Sequence, residues 1–332
     1  MVEHNLAKVR VAGSSPVFRS QKGIQNVLGT LFNYTDMTLK FKVNRSITLA
    51  ILAAALYALN APFAKILLKE MSPMIMAGFL YLGAGLGMLL VGLIRKTRNN
   101  RQKEPNLTRK ELPYTVAMVV LDIAAPIFLM FGLTMTTAAN ASLLNNFEIV
   151  ATAIIALFIF KETINRRLWI AILLITISSV LLTLEDASSF SFSLGSVFVV
   201  LACVCWGFEN NCTRKLSFKD PMQIVIIKGF GSGLGSLAIA FTTGEQVSNF
   251  VLIPAILILG FVSYGLSVFF YVYAQRGIGA AKTSAYYAVA PFIGVILSFL
   301  ILGERPNLLF GIALLIMIIG AYLASKDTQK SS

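Results

Sequence analysis

Apolar residues run along this chain in ten long blocks, at roughly 46–68, 73–94, 113–133, 137–160, 167–184, 193–213, 221–243, 251–274, 278–302 and 306–325. Each block is apolar all round. A membrane-crossing helix needs about 20 such residues, whereas a membrane-barrel strand alternates apolar and polar positions over about 10. Helices also satisfy their own backbone inside lipid. The pattern therefore predicts an all-α polytopic membrane protein with ten transmembrane helices. Polar positions collect between the blocks and in two tails, 1–45 and 326–332.

Composition agrees with that reading. Of 332 residues, 57% are hydrophobic and 13% charged, and the mean hydropathy is +0.77. Ordinary soluble domains carry about 25% charged residues, so a soluble enzyme, a disordered chain and a disulfide-stapled secreted module are excluded. The net charge of +13 is spread between the apolar blocks, where it orients a membrane protein, so nucleic acid is not an expected partner. Cys203, Cys205 and Cys212 share one apolar block. They lack the paired clusters of a zinc site and read as small core residues, so no metal and no cofactor is expected.

The N-terminal tail has no apolar core of signal-peptide type. Residues 6–20 resemble chance translation of a transfer-RNA gene, and Met37 stands ten residues before the first block. The expectation is that the native start is Met37 and that 1–36 are not native. A polar cytoplasmic tail is the alternative.

Lys and Arg set the orientation. With a cytoplasmic N-terminus, 23 of the 28 fall in inside segments, and only Lys65, Lys69 and Arg305 fall outside. Both tails are basic, which suits an even number of spans with both termini cytoplasmic in the cell membrane.

The two halves of the chain repeat, 46–184 against 193–325. Tyr57-Ala58-x-Asn60 aligns with Trp206-Gly207-x-Glu209, and Lys65 with Arg214. Gly83-x-x-x-Gly87 aligns with Gly231-x-x-x-Gly235, and Ala138-x-x-x-Ser142 with Ala280-x-x-x-Ser284. Lys161-Glu162 aligns with Gly303-Glu304. Five spans per half is an odd number, so the halves insert in opposite senses. That predicts two inverted five-helix repeats, an architecture of many secondary transporters.

With these halves, the acidic step after the fourth helix of each, and Ala290-Pro291 in the ninth span, the chain resembles the EamA-type ten-helix branch of the drug/metabolite transporter superfamily. The resemblance covers about residues 45–325. It implies a cavity between the halves, alternating access, and export of amino acids or other small metabolites. Relatives carry sugars, nucleobases or nucleotide sugars, drugs and lipid-linked substrates, so these stay open as alternatives.

Five ionisable residues lie inside spans, where charge is costly and usually faces a cavity or a partner: Asp122, Glu148, Glu209, Lys228 and Lys282. Glu148 is about 17 Å into its span at 1.5 Å per residue, and Asp122 is at similar depth. Two carboxylates at one depth can share a proton, which would suit proton coupling. Equally, each can simply accept hydrogen bonds from neighbouring helices. Asn145, Glu148 and Thr152 lie on one helical face, as a cavity wall or as a polar helix contact. Glu209 and Lys228 sit on consecutive antiparallel spans at similar depth. They are expected to form an ion pair, either structural or a gate that opens when substrate charge replaces one partner. Lys282 can snorkel to the headgroups or face the cavity with Tyr286. Asn60, Trp206, Tyr57 and Tyr287 complete the candidate lining, with interfacial anchoring as the alternative for the aromatics.

An integral membrane enzyme is the rival class. His4 is the only histidine, and no H-E-x-x-H or G-x-S-x-G spacing occurs, so no catalytic residue is assigned. The expected partners are a small-molecule substrate and the lipid bilayer, with a homodimer left open.

Overall fold

The structure, a computed structural model, describes residues 45–97, 105–159, 161, 164–186, 191–216, 219–278, 283 and 286–327. The expectations about a start at Met37, about Lys282 and about Glu162 lie outside the described residues.

Ten apolar helical segments follow in chain order. They are α1 (Arg45–Leu67), α2 (Pro73–Thr97), α3 (Leu112–Met135), α4 (Ala138–Phe158) and α5 (Arg166–Thr183). The second half gives α6 (Leu194–Leu216), α7 (Pro221–Thr242), α8 (Phe250–Ala274), α9 (Ala290–Leu302) and α10 (Leu308–Asp327). Nine of these are long and apolar enough to cross a membrane among the described residues, and α9 is the shorter tenth. Large apolar side chains such as Leu90, Leu173, Leu300 and Leu315 stay exposed. In water that surface would drive association; here it is the lipid-facing belt of a multi-pass membrane protein.

Local chemistry sets the helix ends. Asp220 accepts a bond from Met222 N at 2.9 Å ahead of Pro221, a proline at the first helical position. Asn165 accepts from Leu168 N at 3.1 Å, and Thr137 from Asn140 N at 3.1 Å. The repeated step after the fourth helix of each half is a left-handed residue. Gly303 ends α9 with φ 65°, and Lys161 takes φ 56°. The backbone shape is thus kept in the first half although the residue that suits it is not.

Three expected details differ. Span four is not one continuous helix, because a turn at Asn145–Asn146 divides it. There Glu148 N bonds Asn145 O at 3.1 Å and Ile149 N bonds Asn146 O at 3.0 Å, three residues back rather than four. The ninth span, expected as 278–302, also turns at residues 288–289 before α9 begins. Between α5 and α6 lies a short antiparallel pair, β1 (Leu184–Asp186) and β2 (Ser191–Phe192), where no strand was expected.

Glycines let the halves interlock. A Cβ on Gly229 would sit 2.3 Å from Gly85 N, and one on Gly233 2.7 Å from Leu82 N, so α7 crosses α2 backbone to backbone. Gly83 and Gly87 of α2 meet Leu257 and Phe261 of α8, while Gly231 and Gly235 of α7 meet Val119 and Ile123 of α3. The aligned glycine pairs therefore make corresponding contacts, each with the third helix of the other half. This is the inverted five-helix repeat expressed as packing.

Candidate functional site

The charged groups converge in the middle of the bundle. Lys228 of α7 places Nζ 3.0 Å from Asp122 Oδ2 and 3.0 Å from Glu209 Oε1. Asp122 is fully buried and Glu209 is 3% exposed. Tyr81 of α2 donates its hydroxyl to Asp122 Oδ1 at 3.1 Å, and Thr213 donates to Glu209 Oε1. Four helices thus supply one cluster of two carboxylates and one ammonium, with a formal charge of −1. Buried charges survive only when paired and hydrogen-bonded, and both conditions are met here.

Aromatic rings connect this cluster to α1 and to the residues just ahead of α9. The Tyr81 ring lies 5.0 Å from Tyr264, and Asn60 Nδ2 donates to the Tyr264 hydroxyl at 2.9 Å. Tyr57 lies 6.0 Å from Tyr264 and 5.9 Å from Tyr287. Two small cavities flank the chain of rings. One is lined by Tyr81, Lys228 and Tyr264 among others, and the second by Tyr57, Asn60, Ser142, Asn145 and Gly294 among others. Each has room for about one water.

Glu148 and Asp122 have different partners: Asp122 turns to Lys228 and Tyr81, while Glu148 accepts from Asn210 Nδ2 at 2.5 Å. Asn210 reaches on to Thr152 Oγ1 at 3.4 Å, and Asn211 donates to Thr152 O at 3.1 Å. Asn145 is buried, with Cys203 Sγ 3.9 Å from its Oδ1. The stripe Asn145–Glu148–Thr152 therefore faces α6. The helices touch there because Gly207 has no side chain: a Cβ on it would lie 2.6 Å from Ala151 Cβ.

The remaining candidates fall in different places. Asn60 joins through Tyr264. Trp206 is buried and its indole hydrogen-bonds Tyr81, the residue that donates to Asp122, so it stands directly behind the charged cluster. Tyr286 is half-buried just before the turn that opens α9. Tyr81, Tyr264, Asn210 and Thr213 carry much of the geometry and escaped the sequence reading. The adjacent Asn210-Asn211 beside Glu209, inside an apolar block, was the available signal for that side. Among the described residues, no three His, Cys, Asp or Glu side chains gather to hold a metal ion.

A second set of polar contacts ties helix ends together where α3 ends and α4 begins. Lys65 donates to Leu133 O and, at 2.8 Å, to Thr136 O. The Glu304 carboxylate accepts from Ala138 N and Ala139 N, both at 2.8 Å. A cation thus meets the carbonyl end of one helix and an anion the amide end of the next, each in its favoured place.

Comparisons with known proteins agree on what such a bundle is. The model of the EamA-like transporter family matches twice, over residues 44–184 and 193–326. An uncharacterized transporter of Methanothermobacter thermautotrophicus is 27% identical over 289 residues, covering 82% of this chain and 84% of that protein. The uncharacterized transporter YdfC of Bacillus subtilis is 24% identical over 280 residues, covering 82% and 86%. One solved crystal structure superposes with a TM-score of 0.62 at 17% identity, covering 86% of this chain and 98% of the other, and shares the fold.

Proposed function

We propose a cargo and a coupling route for this chain, which belongs to the EamA-like transporter family: it exports amino acids or related small metabolites across the cell membrane by alternating access, driven by protons. The observation that carries the reading is the buried cluster of Asp122, Lys228 and Glu209, with Glu148 on the adjoining α4–α6 contact. A zwitterion offers an ammonium and a carboxylate, and the centre has groups of both signs to meet them. Lys228 is held by two carboxylates, so a substrate carboxylate can draw it away and a substrate ammonium can take its place. That exchange makes the Glu209–Lys228 contact a gate. Among the described residues Glu148 has a single side-chain amide donor, and it is the coupling carboxylate. The basic inside segments support cytoplasmic termini, and the family resemblance supports outward transport.

The test is counterflow in proteoliposomes preloaded with a mixed amino-acid pool, comparing wild type with Glu148→Gln at two pH values. The expected result is uptake above empty liposomes whose pH response is lost in the variant. Uptake unaffected by the substitution removes Glu148 from the coupling role. No uptake of any pool member refutes the amino-acid class and moves sugars, nucleobases and lipids to the front.

A further inference from the structure

The cavity between α1, α4 and α9 has a wall unlike the charged cluster. Asn60 and Ser142 both line it, and Asn60 Oδ1 and Ser142 Oγ have no hydrogen-bond partner among the described residues. Asn60 is 2% exposed and Ser142 3%. Asn60 spends its amide nitrogen on Tyr264, which leaves the oxygen as the unmatched end. Buried polar atoms in folded proteins are nearly always matched, so two orphans on one water-sized cavity point to something that binds there.

The backbone adds further acceptors. Pro62 has no N–H, so the carbonyl of Ala58, which lines the cavity, lacks the partner a regular helix would give it; Pro291, also on the lining, has the same effect in its own helix. Both prolines follow turns that interrupt their helices, at Leu59 and at residues 288–289. The position of a Cβ on Gly294 is 2.7 Å from Ser142 Oγ and 3.5 Å from Ala58 O. Those two oxygens therefore converge on the glycine, and the missing side chain keeps the space between them clear.

We infer that this cavity is a binding site for one small monovalent cation, held by Asn60 Oδ1, Ser142 Oγ and the Ala58 carbonyl. Interrupted membrane helices use freed carbonyls for such ions. The donors are neutral oxygens, which suits a single charge rather than a divalent ion with its need for carboxylates. The negative cluster at Asp122, connected through Asn60, Tyr264 and Tyr81, favours positive charge nearby. The same chemistry fits an alkali ion or the ammonium head of a substrate. The inference does not depend on the amino-acid reading, and its test uses no amino acid.

The experiment is thermal melting of the purified full-length chain in detergent at fixed ionic strength, with choline chloride exchanged for sodium, potassium or methylammonium chloride. A cation that binds the folded form raises the melting temperature in a saturable way. Ser142→Ala removes one oxygen without adding bulk and is expected to weaken that response about tenfold or more, the scale of a damaged ion site. Gly294→Ala fills the space and is expected to abolish it. A rise with sodium or potassium assigns the site to an alkali ion, and a rise with methylammonium alone assigns it to a substrate ammonium; both support the inference. No saturable rise with any of the three overturns it, as does a wild-type response that persists in Ser142→Ala. Should Gly294→Ala fail to fold, Asn60→Ala serves as the second variant, and an unaltered response there also overturns the site.

Discussion

Replacing Lys228 with Met removes the only ammonium among the described residues in contact with Asp122 and Glu209. Both carboxylate oxygens lie 3.0 Å from Nζ, so they are at most about 6 Å apart. Two anions at that separation repel by about 3 kcal/mol at an effective dielectric near 20. Asp122 is fully buried and Glu209 nearly so, so water cannot replace the lost partner. Breaking a buried ion pair from one side costs about 3–5 kcal/mol, and that is the loss expected for Lys228→Met. Adding Asp122→Asn and Glu209→Gln to the same chain removes the stranded charges and should restore most of the stability, because a buried pair replaced as a whole is often nearly neutral. The assay is melting of the three proteins in one detergent, with counterflow on the same preparations. Under the gate reading the triple variant folds well and does not transport. A Lys228→Met protein as stable as wild type, or a triple variant no better than Lys228→Met, would refute the reasoning.

Other positions give independent checks on the same melts. Gly229→Ala forces a methyl group against Gly85 N and should cost about 1–3 kcal/mol, whereas Gly311→Ala meets nothing within 4 Å and should gain about 0.5–1 kcal/mol from helix propensity. Lys161→Gly relieves a left-handed non-glycine residue and should gain about 1 kcal/mol. Glu304→Ala strips the amides of Ala138 and Ala139 of their acceptor and should cost about 1–2 kcal/mol, with Glu304→Gln recovering part of it.

The ten spans were legible because lipid imposes a length and a uniform apolarity that few other folds share. Glu209 and Lys228 were legible as neighbours because a short connection joins antiparallel helices and fixes their relative depth. The partner of Asp122 was not legible for the opposite reason. Depth alone set it level with Glu148, but which helix it faces depends on the α3–α7 crossing, where Gly231 and Gly235 meet Val119 and Ile123. Tyr81 and Tyr264 were missed because a tyrosine in an apolar block has the same signature whether its hydroxyl holds a carboxylate or points at headgroups. The turn at Asn145–Asn146 was missed because both residues can sit in a helix. It is the packing of α6 through Gly207 and the Asn210 amide that holds the two parts of α4 as they are.

The repeat also marks where chemistry departs from architecture. The glycine alignment of 83 with 231 and 87 with 235 sets Lys228 against Leu80, and Asn60 aligns with Glu209. Leu80 is fully buried, and its backbone abuts Gly260 of α8. In the first half that position packs one helix on another; in the second it supplies the ammonium between two carboxylates. A symmetric pair of such clusters would place two sets of buried charge in one bundle, each needing its own partners in a medium that offers none. With a single cluster, the first-half position of Asn60 is left with a neutral amide that bonds Tyr264 and faces the second cavity. The helix crossings thus follow the twofold relation while the charge does not. Exchanging the pair, by Leu80→Lys with Lys228→Leu, keeps the crossings plausible but separates the ammonium from Asp122 and Glu209. That protein should melt well below wild type and fail to transport; retention of both properties would show that the location of the charge, rather than its mere presence in the bundle, is unimportant.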